Sequence, residues 1–228
     1  MNFLTKNYSP LSNSVFFLKA DCQTVADALL EWQQALRINR RRRLRKRELK
    51  GEFEANLQEL LPINVGEIRR FLFHKTTGEW TAMITNTILG TDGSAPSVLS
   101  RQLRCEMVRA THTDRGTIFK YHDPTKSKVE EETRVVSAHI ESRWEFSEYG
   151  PPLPFEDTAR YKNQRRIKDR INLEVLVKYL AALGIFYDRE EFFNPEEEVK
   201  GILIFKKERL YKSDRSLTLE QAQNYYDK

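Results

Sequence analysis

Two runs of strand-forming residues, Glu67–Lys75 and Glu79–Asn86, are separated by only Thr76-Thr77-Gly78. A link that short returns the chain alongside itself, so the two runs are expected to form an antiparallel hairpin. Alternation then assigns faces: Phe71 and Phe73 share one face of the first strand, and Trp80, Ala82 and Ile84 share one face of the second. Four more strand-like runs follow at Cys105–Thr111, Gly116–Tyr121, Arg134–Ile140 and Ser142–Phe146. Asp114-Arg115-Gly116 makes a tight turn among them, and His122–Thr133 is a charged connection. Ser14–Ala20 and Gly201–Phe205 read as strands nearer the two ends.

Helical spacing appears elsewhere. Val25, Ala28, Leu29, Trp32 and Leu36 form one apolar stripe behind Asp21, whose carboxylate can accept from the orphan N–H groups of a first turn. Glu52–Leu61 and Ala95–Arg104 read as short helices, the second behind the loop Gly90-Thr91-Asp92-Gly93-Ser94 with Ser94 as its cap. Asn172 starts a helix carrying Leu173, Leu176, Val177, Leu180 and Leu183, Gly184 stops it, and a last short helix lies near Leu219–Tyr225. The expected class is α+β, a mostly antiparallel sheet with helices at its edges and on one face. The 228 residues suit one large domain, read as an α+β body over 1–185 with a charged C-terminal extension, 186–228, packed on it.

Charge is the least evenly distributed property. The formal net charge is +5, yet Arg37–Lys50 alone holds nine basic residues against Glu48, a local +8 that leaves −3 for everything else. Within this strip Arg40, Arg41, Arg42, Arg43, Arg45 and Arg47 are candidate binding residues. As a strand, Arg41–Lys50 would put Arg41, Arg43, Arg45 and Arg47 on one face; a helical extension is the alternative. A second basic cluster spans Arg160–Arg170, with Arg160, Arg165, Arg166 and Arg170 as its candidates and Asp169 opposing them. Asp188–Glu198 holds six acids against Arg189 and can fold back on either cluster. A strip of this kind can contact nucleic-acid phosphates, dock an acidic protein or simply remain solvated. No nucleic-acid-binding motif accompanies it, and no aromatic residues interleave with it as stacking platforms require.

Catalytic patterns are sparse. His74, His112, His122 and His139 include no i, i+4 metal pair, and Cys22 and Cys105 make neither a C-x-x-C nor a disulfide framework. His112 and His122, near the ends of the Cys105–Thr111 and Gly116–Tyr121 pair, are expected as exposed residues at strand ends. No metal or other cofactor is expected, a reducing cytoplasm is the expected compartment, and no apolar run has the length of a membrane span.

One resemblance runs through Gly78-Glu79-Trp80-Thr81-Ala82 with Asn86, Gly90-Thr91-Asp92, Trp144-Glu145-Phe146, Pro154-Phe155-Glu156, Tyr161, Arg166, Asp169-Arg170 and Ala182-Leu183-Gly184-Ile185. Over Ser14–Ile185 the chain resembles an uncharacterised family of single-domain bacterial α+β proteins with no assigned activity. In size and pattern that family is similar to immunity proteins of bacterial toxin systems, a fold-level analogy. The resemblance carries no catalytic signature, and the arginine run and the segment after Ile185 depart from it. The functional expectation ranks first a non-catalytic binding protein whose charged surface engages an acidic protein partner. A nucleic-acid-binding protein using Arg40–Arg47, with Arg160–Arg170 on the same face, ranks second. An enzyme on a phosphate-bearing substrate, with Asp92, His112 or His122 in its site, ranks third.

Overall fold

The computed structural model describes residues 8–36, 44–206 and 215–225. Its first part runs β1 (Ser14–Leu18), α1 (Cys22–Ala35), β2 (Leu44–Leu49), α2 (Phe53–Gln58), β3 (Ile63–Val65), β4 (Arg70–Lys75) and β5 (Thr81–Thr85). The middle is α3 (Ser94–Leu103), β6 (Met107–Thr113), β7 (Gly116–His122), β8 (Thr133–Ile140) and β9 (Trp144–Tyr149). Then come α4 (Thr158–Asn163), α5 (Leu173–Ala182), β10 (Gly201–Lys206), β11 (Arg215–Leu217) and α6 (Leu219–Gln223). Nine strands form one sheet in the order β2-β10-β4-β5-β1-β6-β7-β8-β9, every neighbouring pair antiparallel. β3 and β11 make a separate two-stranded ladder. The α+β class and the β4–β5 hairpin follow the sequence reading, and the ambiguous arginine segment is a strand from Leu44 onward.

Helices lie against both faces of the sheet, where one face was expected. The reason is visible in β1: all five of its residues are buried, so alternate side chains need different cores. Phe16 and Leu18 join Phe71, Phe73, Met83, Ile202 and Ile204 under α1 and α3, through Cys22, Val25, Leu29, Ala95 and Leu99. Val15 and Phe17 point to the opposite face, into a larger core with Leu72, Ile84, Val108, Phe119 and Val136. There α2 adds Phe53 and Leu57, α5 adds Leu176 and Leu180, and the segment after it adds Tyr187, Phe192 and Phe193. β10, apolar at Ile202, Leu203 and Ile204, lies between β2 and β4, so residues beyond 186 supply an inner strand.

Several caps are side-chain bonds that the sequence announces. Asp21 accepts from the N–H groups of Gln23 and Thr24, and Asn172 accepts from that of Val175. At α3 the work falls to Asp92, whose carboxylate accepts from the Ser94 N–H at 2.7 Å, while Ser94 is itself the first helical residue.

The most heavily bonded polar group ties β8 to the Pro-rich bridge after β9. Arg134 has 3% of its side chain exposed and donates through Nε and Nη2 to Glu156, whose side chain is fully buried. It also donates to Glu148 at 2.8 Å and to the Gly150 carbonyl at 2.7 Å. Glu156 further accepts from the Leu153 N–H and the Tyr161 hydroxyl, itself 2.7 Å from that of Tyr179. Burial opposes the Arg134 charge, but Glu156 and Glu148 outweigh it and hold the guanidinium more firmly protonated than usual. Breaking one side of such a pair strands a buried charge. Glu156→Gln is expected to destabilise the fold by about 3–5 kcal/mol. The double change Arg134→Met with Glu156→Leu should cost less than that single change, and urea unfolding midpoints check both.

Candidate functional site

The tight turn after β6 decides what faces what on the next two strands. Thr113 pairs with Gly116, and the register carries down the hairpin to place Arg109 directly opposite Lys120. Gly116 is needed there: its φ is +155°, and a Cβ would sit 2.6 Å from the Ala138 carbonyl oxygen on β8. Across the sheet the same row reads Phe16, Arg109, Lys120, Val135 and Tyr149. The row on one side of it reads Ser14, Thr111, Ile118, Ser137 and Ser147, and the row on the other side Leu18, Met107, His122 and Thr133.

These rows lie on the α1/α3 face, but the helical cover stops near β6. From β6 to β9, only Met107 joins that face's core. No described helix packs over this face of β7, β8 or β9, and Tyr149 is 59% exposed. What remains is an open, hydroxyl-rich sheet surface with Arg109 and Lys120 at its centre. Arg101, in the last turn of α3, adds a third cation at its border. Burial, then Arg109 and Arg101, lower the Lys120 pKa. Burial, then Lys120 and Arg101, lower that of His122, leaving its imidazole neutral at pH 7. Among the described residues, none of the three cations forms an ion pair. Like charges directly opposite across a ladder repel, and among the described residues no carboxylate within ion-pair distance of either cation offsets that repulsion.

The arginines singled out in the sequence have different surroundings. Arg40, Arg41, Arg42 and Arg43 lie outside the described residues. Arg45 and Arg47 share a face of β2, the outermost strand at one edge, Arg45 exposed and Arg47 ion-paired with Glu59. Their neighbours are paired too, Lys46 with Asp27 at 2.6 Å and Lys50 with Glu198 from the acidic stretch. In the second cluster Arg166 binds Asp169 at 2.7 Å and Arg160 donates to the Asp169 carbonyl. Arg170 donates to the Gln164 carbonyl and covers the Phe146 ring, and Arg165 is exposed. This cluster packs beside β9 at the other edge, eight strand spacings or roughly 38 Å along the sheet from β2. The described part of the first strip and the second cluster therefore sit at opposite edges, not on the continuous face that a shared nucleic-acid track needs.

The histidines do not converge. His74 is wholly buried: Asn56 Nδ2 lies 3.1 Å from its Nε2, the Lys75 carbonyl lies 2.8 Å from its Nδ1, and Phe53 stacks edge-on against it. His122, expected exposed at a strand end, is buried as well, with 4% of it exposed. His112 bonds Thr117 near the turn, while His122 bonds Thr133 at the other end of β7 and on the opposite face. Asp92 is occupied at the start of α3. Among the described residues no three His, Cys, Asp or Glu side chains are grouped to hold a metal ion. Several residues of the central motifs brace the fold. Trp80 Nε1 donates to the Leu183 carbonyl, Asn86 accepts from the N–H groups of Arg69 and Arg70, and the Thr91 hydroxyl accepts from Thr85.

Against protein-family models, curated proteins and solved structures, the chain gives no match.

Two outcomes follow from these placements. Replacing Lys120 with Met removes the cross-strand repulsion, so Lys120→Met is expected to stabilise by about 0.2–1 kcal/mol, a rise of about 1–3 °C in Tm at low salt. A thermal melt that drops instead would show that Lys120 has a stabilising partner. Burial holds the His74 pKa down at about 4, against 6.5 when unfolded. The unfolded chain then binds the extra proton first. Stability from this group is complete above pH 6.5 and is lost as pH falls toward 4, by up to about 3 kcal/mol. The pH dependence of Tm across that window should be shallower in His74→Gln.

Proposed function

We propose that this chain is a non-catalytic binding protein that engages an acidic protein partner through the open β6–β9 face, with Arg101, Arg109 and Lys120 as its charged centre. The single observation that carries the reading is the Arg109–Lys120 pair: two cations set opposite one another by register, with no carboxylate among the described residues ion-paired to either. The repulsion across the ladder is unfavourable to the isolated fold. An acidic surface arriving from outside would remove the repulsion and gain two charge-assisted contacts. The surface around it suits a protein more than a nucleic-acid strand. Ser147 and Thr133 offer hydroxyls, Ile118 and Val135 offer apolar contacts, and Tyr149 supplies an exposed ring at the β9 edge. The basic strip is a weaker candidate over its described part, because Lys46, Arg47 and Lys50 already face acids of the same chain.

Fluorescence anisotropy with a labelled poly-glutamate peptide and with labelled single- and double-stranded DNA and RNA, across salt, tests this. The peptide should bind, and changing Arg101, Arg109 and Lys120 together to Gln should weaken it at least about tenfold. Arg45→Gln with Arg47→Gln should leave it within about twofold. Oligonucleotides binding more tightly than the peptide at the same salt, or peptide binding that survives the triple change, would overturn the reading.

A further inference from the structure

Arg109 is not a free surface arginine. Its Nε donates to the Thr111 hydroxyl at 3.0 Å and to the Ser14 hydroxyl at 3.2 Å. Those hydroxyls lie 2.9 Å apart, and Ser14 Oγ donates onward to the Thr91 carbonyl. The guanidinium carbon sits 5.6 Å from the centre of the Phe16 ring, itself fully buried under α1 and α3. The group is therefore fixed along one edge and supported on one face by the rigid centre of the sheet. Its two terminal amino groups donate to no described protein acceptor. The nearest acid acting on it, Asp92, is not within ion-pair distance and spends its carboxylate on the Ser94 N–H and hydroxyl. Lys120 has no such setting: no described hydrogen bond or ion pair holds its ammonium.

We propose, resting on the reading of the β6–β9 face as a docking surface, that Arg109 is its specificity-determining residue, a preformed fork that takes one Asp or Glu carboxylate of the partner. The planar guanidinium presents parallel N–H donors at the spacing of a carboxylate's two oxygens, and a group already held in place loses little freedom when it binds. Lys120 and Arg101 act differently, as diffuse positive charge that draws the acidic surface in and sets the salt dependence. Thr111 and Ser14 are positioning residues: they touch no ligand and act by holding Nε.

The test uses the full chain and the same labelled poly-glutamate peptide. Arg109→Lys keeps the charge and removes the fork, so it should weaken binding about tenfold while leaving the slope of affinity against salt unchanged. Arg101→Gln with Lys120→Gln should lower that slope, and Lys120→Arg should bind within about twofold of the unaltered chain. Thr111→Val, with thermal melts showing the fold intact, should fall between the unaltered chain and Arg109→Lys. If Arg109→Lys binds like the unaltered chain while the Arg101 and Lys120 changes still weaken binding, the anchor is wrong and the docking face stands. If none of these variants alters binding, the docking reading itself fails. Inorganic phosphate displacing the peptide at concentrations where acetate does not would overturn the carboxylate assignment in favour of a phosphate-bearing ligand.

Discussion

A sheet of nine strands presents two broad faces, and the helical residues of this chain are unequally shared between them. On one face, α2 and α5 together with Tyr187, Phe192 and Phe193 build a core that reaches from β10 to β8. On the other, α1 and α3 cover β10, β4, β5 and β1 and leave most of the remaining strands uncovered among the described residues. Much else follows from that shortfall. β1 and β10 are apolar on both sides because both sides are covered, whereas β7 alternates Ile118 and Lys120 with Phe119 and Tyr121 because only one is. Where the cover ends, the sheet keeps hydroxyls and cations instead of leucines. The candidate site is the part of the sheet that the helices do not reach.

That division explains what could be read in advance. The β4–β5 hairpin, the Asp21 and Asn172 caps and the strand nature of Met107–Thr113 and Gly116–His122 are local properties, set by turns and periodicity within a few residues. Coverage is not local. Nothing within Ser14–Leu18 says that helices far along the chain will meet on both sides of it, although five consecutive buried residues are the trace such an arrangement leaves. His122 was misplaced because a polar residue at a strand end reads as exposed, and only the ladder to β8, which sets Thr133 against it, shows it buried. The β3–β11 ladder joins segments too short and too far apart to announce each other.

The charge pattern makes the sharper contrast. Arginines adjacent in sequence attract attention, yet around β2 Lys46, Arg47 and Lys50 have acids from α1, the end of α2 and the segment before β10 beside them. Arg101, Arg109 and Lys120 contribute one cation to each of three elements and leave no compositional signal. The signal that could have found two of them was geometric: a turn this tight after Thr113 fixes which residues of the two strands lie opposite, and counting back from it puts Arg109 against Lys120. Charge density along a sequence and charge left unpaired in a fold are different quantities, and here they point to different places.

The inner position of β10 has a bearing on the order in which the molecule can be assembled. Its Lys206 pairs with Glu67, 139 residues earlier in sequence, and its ladder closes against β4. During synthesis β4 is therefore made long before the strand that covers its outer edge, and Phe71, Leu72 and Phe73 wait beside an unfilled ladder. Pairing across so long a separation is slow relative to hairpin formation, because the chain must lose its loop entropy before the ladder returns anything. The β6–β9 meander, joined by local turns, has no such delay. The half of the sheet that carries the candidate site can pair early through local turns, while the half around β10 must wait for a strand made far later.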